Sequence, residues 1–443
     1  MIISRDEAKQ LIERVLALSK AGDCQVRLSS SESSYTRYAN NEITTSGTTE
    51  DFTLTIAATI DKRTGVVSIN ETSDAALKHA VARVEEIARI SPPDPEYVEP
   101  LGPQQYPEIK AYFDETARAR AQERLPGVRA VIEPAAKAEL HSSGFFTNNA
   151  TAIALGNKRA NVGYHRMTSA DYSATARTPD GKGSGWASAG APRISEIDAP
   201  RLADTAIRKA IQSREARRIE PGKYTVILEP AAVNDLLPLM MSGFNARETD
   251  QGFTFLSKRG GGNRLGEKVF SEQVTIRSDP FDLRLPGLPW DGGDVPSEKV
   301  TWVEKGVVKN LVYDRYWAQQ SGGKPLSVAN FIMEGGASTL EELIESTERG
   351  LLVTHFWYIR IVSPQAVLLT GLTRDGLFLV EDGKIKMPVT NLRFNESPVK
   401  VLGNVEALSQ AVRTGNGLER GTGSVVPAIK TRDFYFSSVS EAV

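Results

Sequence analysis

The sequence is poor in the residues that most often anchor metals and disulfides. Its 443 residues include one cysteine, Cys24, and four histidines, at positions 79, 141, 165 and 355. A single cysteine excludes an intramolecular disulfide and any zinc site built from several cysteines. No two of the histidines have the short helical spacing of a metal-binding pair. From the residues alone we therefore expect no metal site and no cofactor.

The chain also lacks an excess of charge and a long apolar run. It has 53 basic and 55 acidic residues and a net charge of −2, which predicts no nucleic-acid partner and no anionic membrane partner. No apolar run approaches the roughly 18 residues of a membrane span. The start, Met-Ile-Ile-Ser-Arg-Asp-Glu, lacks the basic-then-apolar order of a signal peptide. We expect a cytoplasmic protein.

What the chain does have is alternating helix and strand signals, which predict an α+β protein. Ser4-Arg-Asp-Glu7 has the form of a capping box that opens an amphipathic helix. Alternating apolar residues predict short strands at 24–29, 51–57 and 66–69, and a second helix follows at 75–89. We predict an N-terminal mixed α/β domain over 1–220, made of a first unit at about 1–95 and a second at about 106–216. We find no repeat of fixed period.

The pattern changes after residue 220. A short buried strand is predicted at 224–228, and a helix opens at Pro230, where proline suits the first turn. Beyond it, glycine-punctuated strands predict a strand-rich C-terminal domain over 221–443. Within it, Arg374-Asp375-Gly376 is most simply a hairpin turn.

Several stretches resemble one family. The C-terminal ones are Gly350-Leu-Leu-Val-Thr, Thr354-His-Phe-Trp-Tyr-Ile-Arg360, Leu369-Thr-Gly371 and Asn395-Glu-Ser397; the N-terminal ones are Tyr38-Ala-Asn-Asn-Glu42 and Gly65-Val-Val-Ser. Together they resemble the TldD/PmbA (TldE) family of metalloprotease-like proteins, also called modulators of DNA gyrase. The resemblance implies the α+β fold predicted above. It also implies association in pairs around a central cavity where peptides are cut.

The family has a zinc-bearing branch, and the resemblance tells where its ligands would stand. There a helix carries His-Glu-x-x-x-His, in which the histidines bind zinc and the glutamate acts as general base. Matching the frame of 224–237 puts Pro238, Leu239 and Gly243 at those positions. None of the three can bind a metal. The resemblance is thus closest to the TldE/PmbA-like branch without the zinc motif, and zinc is expected only in a partner subunit.

Five residues are candidate contacts to a bound peptide or to the cleft: His355, Trp357, Arg360, Arg374 and Glu396. For His355 the simpler interpretation is a structural histidine that holds a backbone carbonyl. The arginines offer forked donors for carboxylates, although we favour internal ion pairs. For Glu396 we favour a role in capping the helix that follows over substrate contact.

Three functions remain open at this stage. The first is a TldE/PmbA-like subunit that binds or presents unfolded peptides to a TldD-like, zinc-bearing partner, or associates with itself as a dimer. The extended peptide would then add as a strand to an exposed sheet edge. The second is an autonomous peptidase that uses His355 with a nearby carboxylate. The third is a non-enzymatic peptide-binding scaffold.

Overall fold

The computed structural model describes residues 2–415 and 423–440, and its mixture of helices and strands confirms the α+β prediction. Helix α1 begins where the sequence predicts, because Ser4 and Glu7 form the expected capping box. Its buried side chains, Ala8, Leu11, Ile12 and Val15, lie on one face against the N-terminal sheet. The described helices include none long and apolar enough to cross a membrane.

The N-terminal region consists of two halves with the same order of elements. The first half is α1 Arg5–Leu18, β1 Asp23–Ala39, β2 Glu42–Ile60, β3 Arg63–Ile69 and α2 Asp74–Ile90. A connecting segment then contains α3 Asp114–Ala117. The second half is α4 Ala121–Lys137, β4 His141–Asn157, β5 Val162–Arg177, β6 Ser184–Ala191, a 3-10 turn Ile194–Glu196 and α5 Ala199–Gln212.

The two halves share one antiparallel sheet of order β3-β2-β1-β4-β5-β6. The central strands β1 and β4 pair from Gln25 opposite Asn157 to Ala39 opposite Ser143, so the halves are related by a rough twofold axis. This repeated topology is not accompanied by a repeat of fixed period in the sequence. The repetition lies in the order and register of the elements, which tolerate almost any residue of suitable polarity.

One glycine in each half makes the repetition visible in the packing. A Cβ at Gly65 of β3 would lie 2.1 Å from the carbonyl oxygen of Val84 in α2. A Cβ at Gly185 of β6 would lie 2.2 Å from the carbonyl oxygen of Ala206 in α5. Gly65 and Gly185 are 120 positions apart, and each lets a helix backbone rest directly on the outer strand of its half.

The C-terminal region has the following elements in order. They are β7 Gly222–Leu228, α6 Pro230–Met241, a 3-10 turn Ser242–Phe244, α7 Ala246–Asp250, β8 Ile276–Ser278, β9 Val300–Glu304, β10 Val307–Val308, α8 Arg315–Ser321, β11 Ile332–Met333, α9 Leu340–Glu345, β12 Arg349–Ser363, β13 Leu368–Glu381, β14 Lys384–Pro388, β15 Leu392–Glu396, α10 Pro398–Gly403, β16 Val405–Leu408, β17 Val412–Arg413, β18 Val425–Val426 and β19 Ile429–Val439.

These strands form two sheets. A small one has the order β10-β9-β8-β11-β18-β17. In the larger one, β12 pairs with both β7 and β13, so that β12, β7, β19, β15 and β13 close into a ring. Alternate residues of these strands point to opposite faces of the sheet and belong to two hydrophobic cores. Val226 and Leu351 lie in the large core with α6. Ile227 and Leu352 pack with Leu343 of α9 in the smaller core.

Candidate functional site

A cluster of buried charged residues lies where the second half of the N-terminal sheet meets the C-terminal ring. Helix α5 contributes Lys209, which is buried and has its Nζ 2.7 Å from both carboxylate oxygens of Glu229. The same Nζ donates to Thr354 Oγ1 on β12, at 3.0 Å. Glu229 directly precedes α6, so a single lysine ties α5 to the start of α6 and to β12.

Strands β12 and β13 both depart from regular pairing at this point. The register moves from Val353 opposite Leu377 to His355 opposite Arg374. On β13, Asp375 and Gly376 have positive φ values of 52° and 127°. The prediction of a hairpin turn at Arg374-Asp375-Gly376 is therefore wrong, since these residues form a bulge inside β13. The bulge aims the Asp375 side chain inward, where it is 3% exposed.

His355 and Asp375 form a buried ion pair. The Nε2 atom of His355 lies 2.9 Å from Asp375 Oδ2, and Nδ1 lies 3.0 Å from the carbonyl oxygen of Phe356. A carbonyl only accepts hydrogen bonds, and so does an ionised carboxylate, so both ring nitrogens must donate. His355 is thus held as an imidazolium, without a lone pair for a metal or for a proton in transit.

Burial opposes the charge on His355, but the bond to Asp375 and the charges of Asp375 and Asp235 outweigh it and raise the pKa of His355. Burial likewise opposes the charge on Asp375. The His355 bond, the His355 charge and a bond from Ser184 Oγ nonetheless lower the Asp375 pKa to about 2. Each partner therefore stabilises the charged form of the other.

Residues from the second half of the N-terminal sheet cover the His355–Asp375 ion pair. Ser184 of β6 donates to Asp375 Oδ1, and the ring of Trp186 lies 4.5 Å from the His355 ring. Arg177 and Arg374 approach Asp375 at 3.8 and 3.7 Å. A cleft of about 570 Å³ opens beside Ser184 and Asp375, between the two regions of the chain.

Helix α6 and the turn after it carry the three positions that the resemblance equates with the zinc motif. Pro238 is half-buried in the last turns of α6, and Leu239 is buried in the main core. Gly243 lies in the 3-10 turn that follows, where a Cβ would meet the Phe255 ring at 2.6 Å. On the same helix, Asp235 accepts the backbone N–H of Phe356 at 2.8 Å.

These residues do not fit a zinc ion. Proline, leucine and glycine side chains offer no donor atom, and the neighbouring carboxylates of Asp235 and Glu229 already hold a backbone N–H and a lysine. Among the residues that the structure describes, no group of three or more His, Cys, Asp or Glu side chains is placed to hold a metal.

The five predicted contact residues separate into a neighbouring group and one distant residue. His355 lies opposite Arg374 across the β12–β13 pair, and the guanidinium of Arg374 sits 4.6 Å from the centre of the half-buried Trp357 ring. Arg360 is exposed and stacks over the Tyr358 ring at 4.1 Å. His355 also bonds the backbone carbonyl that the simpler interpretation of this residue foresaw.

Glu396 lies apart, at the end of β15, and is 5% exposed. Its carboxylate accepts from Lys400 Nζ at 2.7 Å and from the backbone N–H groups of Ser397 and Tyr435. It thereby steadies the entry into α10, as favoured from the sequence. The side chain of Ser397, the residue at the N-cap of α10, makes no capping bond to the helix.

Sequence reasoning missed Ser184, Lys209, Glu229 and Asp235. They belong to β6, to α5 and to α6 with its N-cap, and only the fold brings these elements to His355 and Asp375. A faint signal was available for Lys209, a lysine at a core-facing position of an otherwise apolar helix stripe.

Comparisons with known proteins agree with this architecture. Residues 221–438 match the PmbA/TldA metallopeptidase C-terminal domain, and residues 24–88 match the PmbA/TldA metallopeptidase domain 1. A metalloprotease of Methanothermobacter thermautotrophicus is 23% identical over 235 residues, 49% of this chain and 50% of that protein. Metalloprotease PmbA of Escherichia coli O157:H7 is 22% identical over 238 residues, 52% and 50% of the two chains. The matched region thus spans about half the length of these curated relatives.

Solved structures are similar over nearly the whole chain. TldE from Thermococcus kodakarensis superposes with a TM-score of 0.83 at 18% identity, covering 97% of this chain and 99% of that one. A Bacteroides thetaiotaomicron protein described as a modulator of DNA gyrase gives 0.85 at 20% identity, covering 99% and 100%. The fold is that of the metallopeptidase-like proteins. With two domain models of one family matching more than half of its length, the chain belongs to the PmbA/TldD metallopeptidase family.

Proposed function

We propose that this protein is a zinc-free, TldE/PmbA-like subunit of a cytoplasmic peptidase complex. It would bind unfolded peptides and present them to a TldD-like partner that carries zinc, for proteolysis or peptide maturation. The partner interaction is a heterodimer in this proposal, and self-association as a homodimer is the alternative. Zinc then belongs to the partner alone.

The observation that carries the proposal is the side-chain chemistry of α6 and the turn after it. The family resemblance places the zinc-binding and general-base groups at Pro238, Leu239 and Gly243, and these side chains have no donor atom. The space beside Gly243 is filled by the Phe255 ring, so a histidine there would require local repacking. A hydrolytic centre of the family's kind therefore lacks its parts in this chain.

The His355–Asp375 pair does not supply a substitute centre. A general base needs a free lone pair within reach of its proton, and both ring nitrogens of His355 donate to groups of the chain itself. Ser184 bonds Asp375 rather than His355, so the serine lacks the histidine contact that would activate it. The geometry supports a structural role for this cluster.

The end of β12 supports the peptide-binding part. Strand β12 pairs with β7 through Leu351, Leu352 and Val353, and its later residues extend beyond the end of β7. Three large apolar side chains are exposed along these later residues: Tyr358 at 53%, Ile361 at 45% and Val362 at 56%. A strand end that carries exposed apolar side chains suits an extended, sequence-tolerant peptide.

The test is a peptidase assay on an unfolded peptide, with this chain alone, with a TldD-like partner alone, and with both. We expect cleavage to need the partner, to increase at least about tenfold when this chain is added, and to stop with a chelator. Val362→Asp should reduce the increase by placing a charge on the proposed binding edge. The matched control is Val66→Asp, at an equally exposed valine of β3 that is 55% exposed.

Two outcomes would contradict the proposal. Chelator-sensitive cleavage by this chain alone would establish an autonomous peptidase. Peptide binding by this chain, without any effect on a partner's cleavage, would establish a scaffold instead.

A further inference from the structure

A second cleft lies in the N-terminal region, far from α6 in the chain, and takes no part in the function proposed above. It has a volume of about 760 Å³ and runs between the start of α1, the beginning of β5 and the connecting segment 104–112. Its lining is mainly polar and includes three cations, Arg5, Lys110 and Arg166.

The three cations have no counter-ion among the residues that the structure describes. All three are exposed, and none is within ion-pair distance of a described carboxylate. Two of them are also held in place by aromatic rings of the same lining. Arg166 lies 4.0 Å from the centre of the Tyr112 ring, and Arg5 lies 5.3 Å from that of Tyr164. Stacking orders a guanidinium and leaves its N–H groups available for an anion.

The cleft runs along the first part of one edge of β5, with which no other strand of the described residues pairs. Strand β6 pairs with β5 only from Ala170 onward, and the backbone N–H of Thr168 points away from β4 to reach the carbonyl of Ala111. Because backbone direction alternates along a strand, Tyr164 and Arg166 turn their N–H and C=O groups the same way as Thr168. In the described part of the chain, no segment pairs with these two residues.

His165 adds a further polar group to the lining. Its side chain is 6% exposed, and its Nε2 atom has no hydrogen-bond partner among the described residues. Buried polar groups of folded proteins nearly always have a partner, and the Nε2 atom of His165 is an exception in the wall of this cleft.

We propose that this cleft binds an acidic segment of an extended polypeptide. The backbone of the segment would pair with the free edge of β5 at Tyr164 and Arg166, and its carboxylates would be held by Arg5, Lys110 and Arg166. Glu108, the one carboxylate in the lining, opposes an acidic ligand but is outnumbered by the three cations. The inference does not depend on a catalytic partner, because binding is a property of this chain alone.

The test is fluorescence anisotropy of the full chain with a labelled eight-residue peptide of alternating glutamate and threonine. The same peptide with glutamine in place of glutamate, and a version N-methylated at alternate positions, separate the charge contribution from the strand pairing. We expect both changes to weaken binding at least about tenfold, and higher salt to weaken the acidic peptide most.

The variant Arg5→Gln/Arg166→Gln should weaken binding of the acidic peptide at least about tenfold. Its control is Arg83→Gln/Arg208→Gln, which removes the same charge at two arginine side chains that are each 57% exposed and lie outside the cleft. Unchanged melting temperatures show that both variants fold.

Four results would overturn the proposal. They are equal binding of the glutamine peptide, equal binding of the N-methylated peptide, an equal loss in the control variant, and tighter binding of a short single-stranded oligonucleotide than of the acidic peptide. The last would reassign the cleft to phosphate recognition. A failure here leaves the peptidase-subunit proposal untouched, since that assay reads cleavage by the partner.

Discussion

The two halves of the N-terminal sheet have the same topology and different surroundings. In the first half, α2 rests on β3 at Gly65, and the neighbouring residue of the helix is the half-buried, apolar Ile87. In the second half, α5 rests on β6 at Gly185, and the residue in the corresponding place is Lys209. Lys209 bonds Glu229 and Thr354 of the C-terminal region, whereas Ile87 faces no such partner.

The difference shows how the same arrangement of helix and sheet forms a self-contained packing unit in the first half and an attachment to the C-terminal region in the second. The close contact of helix and strand is kept in both halves, because it depends only on the absence of a Cβ at one strand position. The adjoining residue is free to change with its environment. The second half uses that freedom to attach the C-terminal ring through Lys209, Ser184 and Trp186. Four experiments test this view, in order of expected effect.

The largest effect is expected for Gly65→Ala and Gly185→Ala. Each new methyl group would overlap a helix backbone, so each variant should lose at least about 3 kcal/mol of unfolding free energy, measured by urea denaturation. The control is Gly22→Ala, where a Cβ would have nothing within 4 Å. A loss at only one of the two glycines would contradict the equivalence of the halves.

The next effect is expected for Lys209→Met, which leaves Glu229 half-buried without its counter-ion. We expect a loss of about 2–3 kcal/mol in the same measurement. Adding Glu229→Gln should recover about half of it, because the unpaired charge is then removed as well. The corresponding change in the first half, Ile87→Met, should cost less than about 1 kcal/mol. Additive losses in the double variant would show that the ion pair is not coupled.

The third experiment follows stability with pH. The pKa of Asp375 is about 2 in the folded protein and about 4 unfolded, so its contribution is present above pH 4 and is lost as pH falls toward 2. The pKa of His355 is raised by folding, so its contribution is present below about pH 6.5 and is lost as pH rises through the folded value.

Asp375→Asn should therefore lower the unfolding free energy by about 2 kcal/mol at pH 5 and flatten both limbs of the pH profile. Asp204→Asn, at an exposed carboxylate of α5, is the control. An unchanged acid limb in Asp375→Asn would refute the assignment of the buried ion pair.

The smallest effect is expected at the helix N-caps, where the two halves should behave alike. Ser73 accepts the N–H of Ala76 at the start of α2, and Asp198 accepts that of Arg201 at the start of α5, both at 3.2 Å. Ser73→Ala and Asp198→Ala should each cost about 1 kcal/mol. Thermal melts resolve the change, and Ser437→Ala on β19 is a control outside any helix cap.

The sequence predicted the features that depend on interactions between residues close together in the chain. The capping box at Ser4, the second helix and the change of pattern near residue 220 all depend on nearest neighbours. The strands of the N-terminal sheet proved far longer than predicted, because residues such as 31–37 and 44–51 are polar on both faces and carry no hydrophobic alternation. Their pairing is fixed by the partner strand and not by their own composition.

The candidate site was less accessible from the sequence. His355 could be singled out, but its role depends on Asp375, which reaches it through a bulge that resembles a turn in the sequence. Lys209 comes from α5, and Glu229 and Asp235 come from the N-cap and the middle of α6, so their meeting depends on how α5, α6 and β12 pack. The positions equated with the zinc motif came from the family resemblance and not from any pattern in the residues.

The seam between β1 and β4 has a consequence for biosynthesis. Strand β1 is complete by residue 39, yet the strand on its other side ends only at residue 157. During synthesis, one edge of β1 therefore stays unpaired until more than a hundred further residues have been added to the chain. The middle of β1 is rich in serine and has few apolar side chains. The unpaired edge therefore stays hydrated, which lowers the risk of pairing with other chains.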